Sequence, residues 1–161
     1  MRILSLIAVL ALTLAACNKP PTPTPPVVET PVLTAASEPE LETLPGNAAI
    51  AEQAIPQFHM ALNDARFDEI YKNASPELKK RKTQQAFVAQ VEAVHRQLGA
   101  IQGTDRQSWR SEEQFPSTLV TLTFKSAYAA GEAIEEFVFR VEDQSAALAG
   151  YSIQSSVLKP K

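Results

Sequence analysis

The chain has 161 residues, enough for one ordinary domain with appendages. All eleven aromatic residues lie from Phe58 onward, whereas eight of the twelve prolines fall between Pro20 and Pro45, so a buried core can begin only near residue 46. A formal charge of -3 argues against the clearly basic domain that nucleic-acid binding usually needs, and no nucleic-acid partner is expected.

Met1-Arg2 supplies a short positive start, and Ile3 to Leu14 an apolar run of signal-peptide length that is too short to span a bilayer comfortably. A plain secretory signal would end in small residues and need no cysteine at the junction. Here the run closes on Leu14-Ala15-Ala16-Cys17, with the sole cysteine last. It resembles the lipobox of bacterial lipoproteins, in which the cysteine sulfur receives a diacylglycerol and, after cleavage, the amino group a further acyl chain. The resemblance implies that residues 1–16 are removed, which changes the charge to -4 through loss of Arg2. It also implies that Cys17 carries the anchor, so that neither a disulfide nor cysteine catalysis is open to the mature chain. At about 0.8 kcal/mol per buried methylene, such chains would hold the protein on its membrane almost permanently. Asn18, where an aspartate commonly signals inner-membrane retention in this type of lipoprotein, points to the outer membrane and a domain facing the periplasm.

From Asn18 to Gly46 the chain is rich in Pro, Thr and Glu and has no aromatic residue. Such a segment buries too little apolar surface to offset its ordering entropy, so residues 17–46 are expected to be a disordered tether. Its reach would be at most ~90 Å as polyproline II and roughly 30 Å as a flexible coil. A docking peptide is the alternative use, since preformed polyproline II is cheap to bind.

The folded part is expected over residues 47–158. Asn47 is a good N-cap, and Ile50, Ala54, Phe58, Ala61, Leu62 and Ala65 follow at helical spacing. Pro56 within this pattern should kink the helix or start its second half, where proline is tolerated. Arg66 to Asn73 forms a second short helix with Phe67, Ile70 and Tyr71 inward. Ser75-Pro76-Glu77 is a strong helix start. Phe87, Val91, Val94 and Leu98 continue at i, i+4, i+7 and i+11, and Gly99 is suited to end that helix in a left-handed conformation.

After Gly99 the apolar period changes from 3.6 to 2. Val120, Leu122, Phe124 and Tyr128 alternate with Thr121, Thr123 and Lys125, and Phe137, Phe139 and Val141 with Val138 and Arg140. Breaks at Ala130-Gly131 and Asp143-Gln144-Ser145 suggest hairpins. With a first strand from Ile101 to Arg110 and a last from Leu148 to Ser156, the expectation is α+β: N-terminal helices packed on a curled four-stranded antiparallel sheet.

That order is similar to the NTF2-like, cystatin-like cone. More narrowly, the helix ending Arg96-Gln97-Leu98-Gly99, a strand pair whose second member opens with Glu135 or Glu136, and the final Gly150-Tyr151-Ser152-Ile153 resemble the bacterial domain of unknown function 4019. The resemblance covers about residues 50–156. It implies the cone fold and an exported domain, and it brings no activity or ligand residues.

Cones of this kind often hold a pocket between helix and sheet, and Tyr71, His95, Tyr128, Glu136 and Tyr151 are its candidate lining, with Glu136 opposite in direction to Phe137. No catalytic residue is assigned, because a general base needs a positioned partner that sequence does not display. His95 sits beside the stripe of Val91, Val94 and Leu98, and His59 beside Phe58. Two histidines without a free thiol, and no HExxH or CxxC spacing, argue against a metal site. No G-x-S-x-G and no phosphate-binding glycine loop occur, so beyond the acyl chains on Cys17 no cofactor is expected. Lys79-Lys80-Arg81-Lys82 is a run of four cations that could contact an anionic surface, or simply be a solvated helix end. Trp109, at strand spacing, faces away from Arg106 and Arg110, which gives one buried or interface tryptophan and an outward basic rim.

These features lead to an expected function as a membrane-anchored, non-enzymatic binding or adaptor module with a protein or envelope partner. The alternatives are a small-molecule-binding or weakly catalytic pocket, and an immunity lipoprotein that neutralises a periplasmic toxin.

Overall fold

The computed structural model describes residues 44–159. By its own contacts the chain divides after Glu40, and every described residue belongs to the second unit, Leu41–Lys161. The lipobox, Cys17 and nearly all of the expected tether lie outside the described residues.

Five helices precede four strands. α1 (Gly46–Gln53) and α2 (Ile55–Asn63) take the place of one kinked helix, because Pro56 falls at the first turn of α2, where its missing N–H does no harm. Asn47 is not the N-cap. Pro45 holds that position without a side-chain bond, and the Asn47 amide instead donates to Thr118 Oγ1 at 2.7 Å, a tertiary partner that fixes α1 against the sheet. α3 (Phe67–Lys72) lies within the expected span. α4 (Pro76–Arg81) starts where Ser75 accepts from the Leu78 amide at 3.4 Å. The long helix does not run through from there. Lys82 is extended, Thr83 accepts from the Ala86 amide as a second N-cap, and α5 (Gln84–Leu98) begins afresh. Gly99 ends it at φ +75, a conformation that a side chain would strain.

The strands β1 (Ile101–Gln114), β2 (Ser117–Tyr128), β3 (Gly131–Glu142) and β4 (Ser145–Gln154) form an antiparallel meander in the order β1-β2-β3-β4. The chain is thus α+β, with helices first and a curled antiparallel sheet after. β1 extends beyond Arg110 because Ser111–Gln114 find partners in Val120–Ser117. The turn between β3 and β4 places Asp143 and Gln144 at positive φ, as a tight hairpin requires.

The inner face of the sheet carries Val120, Leu122 and Phe124 from β2 and Phe137, Phe139 and Val141 from β3, all buried against Phe58, Leu62, Phe87, Val91, Val94 and Leu98 of the helices. Each fully buried side chain of this size contributes about 1.5–3 kcal/mol, so this seam is the main stabilising element.

Three irregularities interrupt the ladders, the first at the start of β1, where the register shifts between Ile101 and Gly103. Between Arg106 and Ser108 the β1–β2 register shifts, with Gln107 as the extra residue. A bulge reverses the parity of everything beyond it. Arg106 pairs with Phe124 and Trp109 with Leu122, so both stand on the inner face, and the expected arrangement of Arg106 and Trp109 on opposite faces is wrong. In the third irregularity, the shift between Val138 and Phe139 leaves Ala149 as the extra residue of β4, and the Ala149 carbonyl accepts from Arg81 Nη2. With Leu148 accepting from the Ser75 amide, α4 is tied along this outer strand and covers part of an otherwise open sheet edge.

Candidate polar cluster and cleft

The inward series of β3, Val141, Phe139 and Phe137, continues two residues back to Glu135, and that of β2, Val120, Leu122 and Phe124, continues to Ser126 and Tyr128. The buried side of α2, with Ile55, Phe58 and Leu62, includes His59. Polar groups therefore stand at inward positions on three elements, and Tyr151 of β4 adds a fourth. They converge on one carboxylate. Glu135 Oε1 accepts from Tyr128 at 2.8 Å and from Tyr151 at 2.7 Å, while Oε2 accepts from Ser126 at 2.5 Å and faces His59 Nε2 at 3.1 Å. Glu135 and Ser126 are wholly buried, and the cluster is boxed in by Phe58, Phe137 and the ring edges between them.

Burial is the largest single influence on the Glu135 carboxyl and would raise its pKa, but the hydrogen bond and charge of His59 and the hydroxyls of Ser126 and Tyr151 together hold it below the usual value. Burial, followed by the negative charge of Glu135, pushes the phenols of Tyr128 and Tyr151 far up. The two effects are consistent: the carboxylate stays charged and the phenols stay protonated, so each remains the partner the other needs. A carboxylate offers about four lone-pair sites, and here four donors fill them. Glu135 has no acceptor capacity left for an incoming proton donor. What it does is fix the His59 ring.

His59 joins this cluster to the surface. A cleft of about 490 Å³ opens between the α1–α2 corner and the start of β1, lined by Ile55, Pro56, Ile101 and Phe124 with His59, Arg106 and Glu52. Arg106 Nη1 reaches both oxygens of Glu52, at 2.8 and 3.0 Å, and its side chain is 9% exposed. The bulge at Gln107 is what turns this guanidinium inward. The His59 side chain is equally well covered, and its Nδ1 makes no hydrogen bond among the described residues. Among those residues the side-chain polar atom that is both fully buried and unpartnered is Glu77 Oε2, which leaves Nδ1 as the part of the His59 ring open to the cleft.

Of the candidate pocket residues, Tyr128 and Tyr151 come together, and the other three stand apart. Glu136 has the wrong parity: it sits on the other side of β3 from Glu135, in a separate recess with Arg81 and Lys82. Tyr71 packs on Phe87 and donates to the Lys82 carbonyl at 2.9 Å. His95 is half-buried on α5 with its ring against Phe67. The four cations are dispersed: Lys79 donates to the Lys72 carbonyl at 2.8 Å, Arg81 to Ala149, and Lys82 to Gln90 Oε1 at 2.5 Å, leaving Lys80 exposed. Sequence reasoning passed over Ser126, Glu135, His59 and Arg106. The first three were marked by a polar residue at an inward position, while Arg106 depends on a bulge that no local pattern announces.

No helix of the described residues is long and apolar enough to cross a membrane. No curated protein matches the chain. Among solved structures, one from Catenulispora acidiphila is similar at 15% identity over 66% of this chain and 88% of that one, with a TM-score of 0.44. The model of one protein family matches residues 56–151, which run from the second residue of α2 through most of β4 and contain every member of the Glu135 cluster. The chain belongs to that family, described as "Protein of unknown function (DUF4019)".

Proposed function

We propose that this protein is a bacterial envelope lipoprotein, acylated on Cys17 and held to the outer membrane, whose NTF2-like cone faces the periplasm and binds a small ligand in the His59 cleft without turning it over. The observation that carries this reading is the saturated carboxylate of Glu135 behind an open cleft. Glu135, with all four sites occupied, is taken out of proton transfer and left to position His59, and no nucleophile among the described residues is hydrogen-bonded to the outward nitrogen of that ring. The same saturation holds His59 in a single orientation at the cleft floor, which is the preorganisation a binding site benefits from. An apolar cleft with a few convergent polar groups is the usual form of a small-molecule site. The lipobox Leu14-Ala15-Ala16-Cys17 and the proline-rich stretch to Gly46 support the anchored, tethered placement. The test is a fragment screen on the isotope-labelled full chain, read by NMR at the residues around His59. Fragments that perturb Ile55, His59, Ile101 and Phe124 together would support the reading. A screen in which none does so, or reproducible turnover abolished by His59→Ala, would sink it.

A protein-binding role, as adaptor or as immunity protein, is the second reading. It is favoured by Phe115 at the tip of the β1–β2 hairpin, which is 101% exposed and available as an aromatic anchor for a partner pocket. Loss of a crosslinked envelope partner on Phe115→Ser, with the fold intact, would support it.

A further inference from the structure

Within the cleft, charge and hydrogen-bond capacity are arranged unevenly. The charged groups at its wall are Glu52, Asp105 and Arg106, with Glu135 one ring-width behind His59. Arg106 Nη1 is engaged with both oxygens of Glu52, so the charge of the guanidinium is offset there and an anionic ligand beside it would also sit beside the Glu52 carboxylate. Asp105 also borders the cleft, but it pairs with Lys125 on the outer face of the sheet, so the excess negative charge behind the floor is that of Glu135. When His59 is neutral and donates Nε2–H to Glu135, its Nδ1 presents a lone pair to the cleft, and the carboxylate behind the ring makes that lone pair a better acceptor. The floor is apolar, and Phe124 offers an aromatic side chain.

We propose that the cleft takes a small amphipathic amine, its apolar body against Ile55, Pro56, Ile101 and Phe124 and its ammonium group donating to His59 Nδ1 and the outer face of the Glu52 carboxylate. This deepens, and rests on, the reading of the cleft as a ligand site. An ammonium ion brings donors to two acceptors already in place and adds positive charge where negative charge is in excess. A carboxylate meets Glu52 and, behind the His59 ring, Glu135, while the cation of the cleft wall, Arg106, already carries the ion pair with Glu52.

The experiment compares three probes of one shape, phenethylamine, phenethyl alcohol and phenylacetate, by calorimetry on the full acylated chain in detergent, with the nitrogen NMR signals of His59 followed in parallel. The amine is expected to bind about tenfold more tightly than the alcohol and more tightly still than the acid, and to move the His59 Nδ1 resonance. Glu52→Gln should reduce the preference for amine over alcohol several-fold. Equal or tighter binding of phenylacetate, with His59 still perturbed, would overturn the amine assignment and leave the binding site standing. Absence of any His59 response to all three probes at millimolar concentration would overturn both.

Discussion

The Glu135 cluster gathers four donors from α2, β2 and β4 onto a single buried carboxylate, whereas Lys79–Lys82 sends three of its four cations to three separate acceptors around α4. In sequence the order of prominence is reversed: the cations are contiguous and the cluster is scattered over 93 residues from His59 to Tyr151. Contiguity on a helix end spreads side chains outward into solvent, where each finds its own partner. Inward parity on separate elements brings side chains together. The physical consequence is a difference in coupling, because deleting one member of a shared buried network strands the others and deleting one dispersed cation strands at most one carbonyl.

The largest expected effect follows from that coupling. Glu135→Ala leaves His59, Ser126, Tyr128 and Tyr151 facing a buried void without an acceptor, and removal of one partner from a buried charged network costs on the order of 3–5 kcal/mol. Urea unfolding of the two proteins measures it. A loss no greater than that of an exposed glutamate would show that the four donors have other partners to turn to, and that the cluster is no more coupled than the cation run. Glu135→Gln, which keeps an acceptor oxygen and the shape, should recover part of the loss.

Tyr151→Phe removes one of the two phenols at Oε1, so the carboxylate keeps three donors. A hydrogen bond to a charged group contributes about 1.5–3 kcal/mol, and the loss should fall at or below that range since Tyr128 still serves the same oxygen. If Tyr128→Phe and Tyr151→Phe cost the same singly but more than their sum together, the shared oxygen is the reason. Strict additivity would mean that each phenol acts independently, contrary to a network.

The same carboxylate sets a dependence on pH. Its folded pKa lies below the unfolded value, so its contribution is fully present above about pH 4.3 and is lost as pH falls through the folded value. Wild-type stability should therefore exceed that of Glu135→Gln most clearly near neutrality, and the gap should close on acidification below pH ~4. A gap that stays constant through this window would mean that folding leaves the carboxyl's pKa unchanged, and one that widens on acidification would mean that the carboxyl is neutral in the folded protein. The phenols have the opposite sign. With folded pKa values raised, Tyr128 and Tyr151 contribute stability below about pH 10 that disappears at higher pH.

The architecture was legible because its signals are periodic and local: the switch from period 3.6 to 2 after Gly99, the Ser75-Pro76-Glu77 start, and hairpin breaks at Gly131 and Asp143 correspond to elements of the structure. Helix continuity was less legible, since Thr83 looks like any polar residue until it caps α5. The site was legible only in part. Tyr128 and Tyr151 were identified from their chemistry, but Glu136 was chosen for pointing away from Phe137, when the informative position was the glutamate that shares the direction of Phe137. A charged residue on the apolar face needs partners, and asking which polar residues on β2, β4 and α2 have the same inward parity leads to Ser126, Tyr128, Tyr151 and His59. Arg106 could not be found this way. Alternation assigns it to the outer face, and only the register shift at Gln107 brings it to Glu52.

The smallest effects belong to the cation run, and they separate its members. Arg81 bonds the bulged Ala149 carbonyl and has its guanidinium 3.7 Å from where a side chain at Gly150 would begin, so it is part of how α4 is held to β4. Arg81→Met should cost about 1 kcal/mol, the net worth of one such bond. Lys80 is exposed and bonds to no acceptor among the described residues, so Lys80→Glu should change stability by no more than about 0.5 kcal/mol. Chemical denaturation of both variants resolves the difference. If Lys80→Glu destabilises as much as Arg81→Met, the run acts through its summed charge after all, and an anionic surface near α4 returns as its reason. If Arg81→Met alone matters, the run reduces to one structural arginine flanked by solvated lysines, and the bulge at Ala149 is the feature it serves.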